Sequence, residues 1–164
     1  MAACSGKNSS DNASTDQGDF DTSIPDGKSS GDYYATLSIP DAGIEVKLYY
    51  ADISGIGWEA QEIVDAEDSA AYFRYGNPFV IGDHDYQEFK TLTSVKKGQK
   101  CYITKEDGSV LTYKCVKVSE GYNIGALYDI DERGLETYPE DYIILYTCDA
   151  NDMRVWMTFW KFVR

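Results

Sequence analysis

The stretch Tyr142 to Val163, YIILYTCDANDMRVWMTFWKFV, constrains the fold most: an apolar run ends in Thr147-Cys148, a short polar turn follows, and a second run opens at Arg154. Two such runs, rich in β-branched and aromatic residues and split by a short polar link, make a hairpin. Upstream, Ala35, Leu37 and Ile39 alternate with Thr36 and Ser38. After Pro40-Asp41-Ala42-Gly43 the alternation resumes, with Ile44, Val46 and Leu48 inward and Glu45 and Lys47 outward, so two half-buried strands are joined by a turn. Pro78-Phe79-Val80-Ile81 is a continuous apolar strand that the chain leaves at Gly82. Fourteen tyrosines, six phenylalanines and three tryptophans agree with a mostly β domain.

Two segments read as helices. Ile63, Ala66, Ala70 and Phe73 are spaced for one face of a short helix over Glu59 to Phe73, a packing element without chemistry. Asp85-Tyr86-Gln87-Glu88 has the spacing of an N-cap and its reciprocal partner, which starts a helix directly after His84, buries Phe89 and Leu92, and ends it at Lys96-Lys97-Gly98. Between Ser119 and Asp141 the chain is too long for a tight turn and is expected to form an ordered loop with a short helix. Its acids Asp129, Asp131, Glu132 and Glu136 lack the spacing of an EF-hand loop and read as solvated, so no metal is expected.

A length of 164 residues holds one domain with a real core. Residues 1–31 are a polar tail in which only Phe20 and Ile24 are sizeable apolar side chains, too few to order it; residues 32–164 form the domain. As a coil of about 28 residues the tail spans roughly 30 Å. The net charge of -13 argues against nucleic acid as a partner, since no basic patch offsets it. No apolar run is long enough to cross a bilayer as a helix.

Of the four cysteines, Cys101 and Cys115 flank a hairpin turn at Glu106-Asp107-Gly108-Ser109. A two-residue turn sets Cys101 opposite Lys114 and a three-residue loop sets it opposite Cys115; two separate buried thiols are the default. The first residues, Met1-Ala2-Ala3-Cys4-Ser5-Gly6, resemble the end of a bacterial lipoprotein signal, which would make Cys4 a lipidation site; the competing reading is an arbitrary start with a chance cysteine.

Cys148, His84 and Arg154 each stand at the end of a separate apolar run, and His84 is the one histidine in the chain. A thiol, a proton carrier and a fixed positive charge for an oxyanion are what a cysteine transpeptidase needs. Arg154 shares its strand face with Trp156, Thr158, Trp160 and Phe162, a mostly apolar surface on which an oxyanion or substrate carbonyl would be a suitable partner.

The order of segments LSIPDAGIEV, FVIGDH, EFKTL, KKGQ and then YTC, with an arginine six residues on, resembles the sortase family from about Ala35 to Val163. The resemblance implies a closed or nearly closed sortase-like β-barrel with two or three short helices. It implies catalytic roles for His84, Cys148 and Arg154, with Thr147 supporting substrate or oxyanion. The substrates would be a sorting-signal peptide of a surface protein and an amine nucleophile of peptidoglycan or pilin, with no metal or organic cofactor. The setting would be the extracellular face of a Gram-positive-like cell envelope, with membrane attachment only through a lipid at Cys4. Two positions depart from the family pattern. Asp83 stands where glycine is usual, and a carboxylate beside the imidazole would alter how much of the protein holds thiolate with imidazolium. Ile144 stands where the family's Thr-Leu-x-Thr-Cys has its first threonine. These departures favour the alternative, a non-catalytic sortase-fold surface lipoprotein acting as a binding module. An L,D-transpeptidase-like enzyme is disfavoured because its Ser-His-Gly-Cys signature is missing.

Overall fold

The computed structural model describes residues 28–53, 58–124, 126–148 and 154–164, with the backbone alone described at Trp58, Glu59 and Cys148. The expected lipidation site, Cys4, and the polar turn after Cys148 lie outside the described residues. The strands are β1 Tyr33–Ile39, β2 Ile44–Tyr50, β3 Ser69–Arg74, β4 Phe79–His84, β5 Lys100–Lys105, β6 Val110–Asn123, β7 Leu127–Asp129, β8 Tyr142–Cys148 and β9 Arg154–Phe162. Their order is β5-β1-β2-β3-β4-β8-β9-β6, and β6 pairs back onto β5 to close a barrel, with β7 added along the far end of β6. Closure removes the sheet edges that an open sheet would leave unpaired. The mostly β barrel with short helices expected from the sequence is the architecture observed.

Alternation along the strands sorts the apolar side chains into two cores. One fills the barrel with Leu37, Ile39, Leu48, Ile81, Leu145 and Trp160, all 0% exposed; Trp160 Nε1 donates to Thr158 Oγ1 at 2.7 Å, so the indole is buried with its N–H satisfied. The other lies outside β4, β8 and β9, where Val80, Ile144, Met157 and Phe159 pack under Leu127, Leu135 and Tyr138, with Ala60, Ile63 and Val64 of α1 (Trp58–Val64) joining. These strands are covered on both faces. That is why Phe79-Val80-Ile81 and Tyr142-Ile143-Ile144-Leu145 read as unbroken apolar runs. β4 and β8 run parallel, so their C-terminal ends lie side by side.

Several local expectations are corrected. The helix expected over Glu59 to Phe73 stops at Val64; Ala70 and Phe73 belong to β3, whose Ser69-Ala70-Ala71-Tyr72-Phe73 run is buried on both faces, and pairing with β2 and β4 overrides the helical spacing. The helix after His84 is a 3-10 helix, Glu88–Ser94, that buries Phe89 and Leu92 as expected but has no side-chain cap; Glu88 Oε1 accepts the Asp68 N–H at 3.0 Å instead. It ends at Ser94 with Val95 extended after it, and Gly98 turns the chain toward β5, its N–H donating to the Cys115 carbonyl oxygen. Gly82 does not end its strand, for β4 continues through Asp83 to His84. In the β5–β6 hairpin, Cys101 faces Tyr113, neither Lys114 nor Cys115, because Lys105 closes onto Ser109 one residue earlier than a loop ending at Ser109 would. Both thiols are buried and free. The segment from Ser119 is partly strand: β6 runs on to Asn123, β7 returns along it, and a 3-10 helix, Leu135–Thr137, follows.

Candidate active site

The parallel β4–β8 ladder pairs Asp83 with Thr147 and His84 with Cys148, so two of the residues singled out by sequence terminate adjacent strands in register. Neither strand can drift without moving Val80 and Ile144, both 0% exposed, out of the outer core.

The imidazole of His84 is 91% enclosed and held by two groups. Nε2 bonds to Asp65 Oδ1 at 2.8 Å, and the ring stacks on Tyr86 with centroids 4.7 Å apart and planes 13° apart. Asp65 follows the last turn of α1, where its N–H donates to the Gln61 carbonyl oxygen and its Oδ1 also accepts from Gln61 Nε2 at 2.8 Å. These bonds, that from His84 first and that from Gln61 second, hold its carboxyl below the usual aspartate range. Nδ1 is buried and has no hydrogen-bond partner among the described residues.

Asp83 was expected to act on this ring, and it does not face it. Alternation turns its side chain to the opposite side of the strand, where Oδ1 accepts the His84 backbone N–H at 2.8 Å and the residue is 1% exposed. The carboxylate on the imidazole is Asp65, eighteen residues upstream of Asp83. Sequence reading passed over it because Asp65 sits in a segment whose periodicity signals only packing. It also passed over Tyr86.

Arg154 opens β9, and its guanidinium is 63% exposed. Nη1 lies 3.6 Å from Glu120 Oε2, so the partner in hand is a carboxylate. With Thr147, Asp85, Phe89, Lys90 and Trp156 it lines a cleft of about 330 Å³. Thr147 is buried, and its Oγ1 accepts the Trp156 N–H at 3.4 Å, which ties β8 to β9 beside the cleft. The structure therefore brings His84 and Cys148 together at neighbouring strand ends. It seats Arg154 on the next strand, its side chain turned by alternation to the Thr147 side of the sheet.

Gly82 has a specific task here. A Cβ on it would stand 2.8 Å from the Tyr146 ring, its register partner across the ladder. Gly82→Ala is expected to push that ring off β4 and cost about 1–3 kcal/mol through overpacking, read as a lower denaturation midpoint.

No family model matches the chain, and no curated protein matches it in sequence. Solved structures do. A sortase C from Clostridium perfringens SM101 superposes with a TM-score of 0.61 at 15% identity, over 88% of this chain and 78% of that one. A Clostridium perfringens sortase C with the C-terminal cell wall sorting motif gives 0.64 at 15% identity over the same shares. Sortase E1 from Streptomyces coelicolor, solved with a tripeptide in the active site, gives 0.59 at 14% identity over 84% of this chain and 92% of that one.

Proposed function

On the sortase fold of this chain we propose a cysteine transpeptidase that cleaves a sorting-signal peptide bond of a surface protein and passes the acyl group to an amine. The observation that carries the reading is the pairing of His84 with Cys148 at the ends of two parallel strands in that barrel. The Cys148 thiolate attacks the peptide carbonyl carbon. Arg154 and backbone N–H groups hold the oxyanion that forms, with Thr147 in support. As the C–N bond breaks, imidazolium at His84 gives its proton to the leaving amine, and a thioester remains. An acceptor amine of peptidoglycan or pilin then attacks the thioester, His84 takes its proton, and the thiolate departs. To act, Arg154 must leave Glu120, which costs about 0–1 kcal/mol for an exposed ion pair, and its guanidinium must swing from the Thr147 side of the sheet round the open start of β9 to the Cys148 side. No cofactor takes part in this scheme. Its setting is the outer face of the cell envelope, with Cys4 as the lipid anchor.

A second reading, a non-catalytic binding module, draws on the Arg154–Glu120 pair, which occupies the guanidinium with a carboxylate. A thiol-directed peptide mimic of a sorting signal separates the two. Burial pushes the Cys115 thiol up to about 11 and the Cys101 thiol well above its ordinary value, so both are protonated at neutral pH and poor nucleophiles. Among Cys101, Cys115 and Cys148 the expected adduct is on Cys148 alone, located by mass spectrometry. Labelling of Cys101 or Cys115 with Cys148 untouched would remove the enzyme from consideration.

A further inference from the structure

We propose that Asp65 is a positioning residue that fixes His84 with its proton on Nε2 and leaves Nδ1 as the nitrogen that exchanges protons with the reacting groups. This rests on the transpeptidase reading above and adds a third member to its machinery. An ionised carboxylate only accepts hydrogen bonds, so Nε2, 2.8 Å from Asp65 Oδ1, must carry a hydrogen in both the neutral and the cationic imidazole. In the neutral ring the basic lone pair is then on Nδ1. That atom is buried and meets no hydrogen-bond partner among the described residues, while the ladder sets the Cα of Cys148 opposite that of His84.

The device has its own support. Gln61, one turn back on α1, donates to the same Oδ1 and orients the carboxylate. Tyr86 stacks on the ring and restricts its rotation about χ2. The Asp65 side chain is 58% exposed at the end of a helix, so its removal leaves the two cores intact. Without it Nε2–H has no fixed acceptor. The neutral ring then samples both tautomers, and part of the population carries its hydrogen on the nitrogen that must accept one.

Because the chain has one histidine, the tautomer can be read directly by nitrogen-15 correlation spectroscopy on the full chain. The neutral ring in the parent protein should be the Nε2–H form, Asp65→Ala should show both tautomers, and Asp65→Asn, which keeps an acceptor oxygen, should retain most of the Nε2–H form. Labelling of Cys148 by the peptide mimic should slow roughly 10- to 100-fold in Asp65→Ala and less in Asp65→Asn, a share of what a well-placed general base supplies. An unchanged tautomer in Asp65→Ala, or a changed tautomer with an unchanged labelling rate, would overturn the positioning role. If the parent itself fails to label at Cys148 while its ring is locked as Nε2–H, the transpeptidase reading falls, and with it any catalytic meaning of the Asp65 contact.

Discussion

Asp129→Ala is expected to lower folding stability by about 3 kcal/mol, the scale of a buried charge network that loses one member. Asp129 is 1% exposed, and both its oxygens are in use. Oδ2 accepts from Tyr138 Oη at 2.6 Å and from Lys117 Nζ at 3.2 Å; Oδ1 accepts the backbone N–H groups of Asp131 and Arg133, each at 2.9 Å. One carboxylate thus closes the turn after β7, anchors the buried Tyr138 against Phe159, and gives Lys117 a partner. Arg133 adds a lid, its guanidinium 4.0 Å from the Tyr138 ring centre. Alanine would strand the Tyr138 hydroxyl and release two backbone amides. Asp129→Asn, which keeps an acceptor on the turn, should cost less. Burial tends to raise the Asp129 carboxyl, but Tyr138, the Arg133 amide and Lys117 together hold it below the ordinary aspartate range. Its stabilising contribution is therefore present above the unfolded value of about 3.9 and is lost as pH falls below it. Urea titrations at neutral pH and at about pH 3 should show the gap between parent and alanine variant shrink in acid; a gap of equal size at both would show that the charge contributes nothing.

This network also shows where sequence reading stops. Asp129, Asp131, Glu132 and Glu136 read as one solvated acidic cluster, and composition cannot say which member turns inward. The answer depends on Lys117, on β6, and on Tyr138, nine residues further on, which only the closed barrel brings to the same carboxylate. The barrel strands were legible because their signal is local: period-two alternation in β1 and β2, unbroken apolar runs where β4 and β8 are covered twice. β3 was hidden for the opposite reason, since Ser69-Ala70-Ala71 is small and carries no strand signature of its own. At the site, His84 and Cys148 were legible as run endings, and the β4–β8 register sets them side by side. The carboxylate near the imidazole was assigned to Asp83 by adjacency in the chain. In a strand, adjacency puts two side chains on opposite faces, so the neighbour in sequence is the residue excluded from contact. Arg154 was placed on an apolar face that would demand a partner; the start of β9 is exposed enough for water and Glu120 to serve.

The side of β4 away from the imidazole yields the second large effect, a stability that falls as pH rises. Asp83 is 1% exposed, its Oδ2 meets no hydrogen-bond donor among the described residues, and its carboxyl is pushed up to about 8. Burial is the main cause and the neighbouring Glu88 carboxyl adds to it; the backbone N–H groups of His84 and Glu88 offset part. Between about pH 4, where an unfolded aspartate ionises, and about pH 8, the folded protein keeps a proton that the unfolded chain has released. Folding is coupled to proton uptake across that window, so the contribution of Asp83 is lost as pH climbs through it. Asp83→Asn removes the coupling. Its side-chain oxygen can still accept the His84 N–H, and its amide can donate to Glu88, turning a carboxyl–carboxyl contact into a hydrogen bond without a buried charge. The variant should match the parent near pH 4 and exceed it near pH 8 by up to about 5 kcal/mol, the proton-linked loss across that window, a difference that guanidinium titrations at the two pH values would resolve. A parent more stable than the asparagine variant at the upper pH would mean that Asp83 is ionised and satisfied in the folded protein, with a donor reaching Oδ2 from outside the described residues.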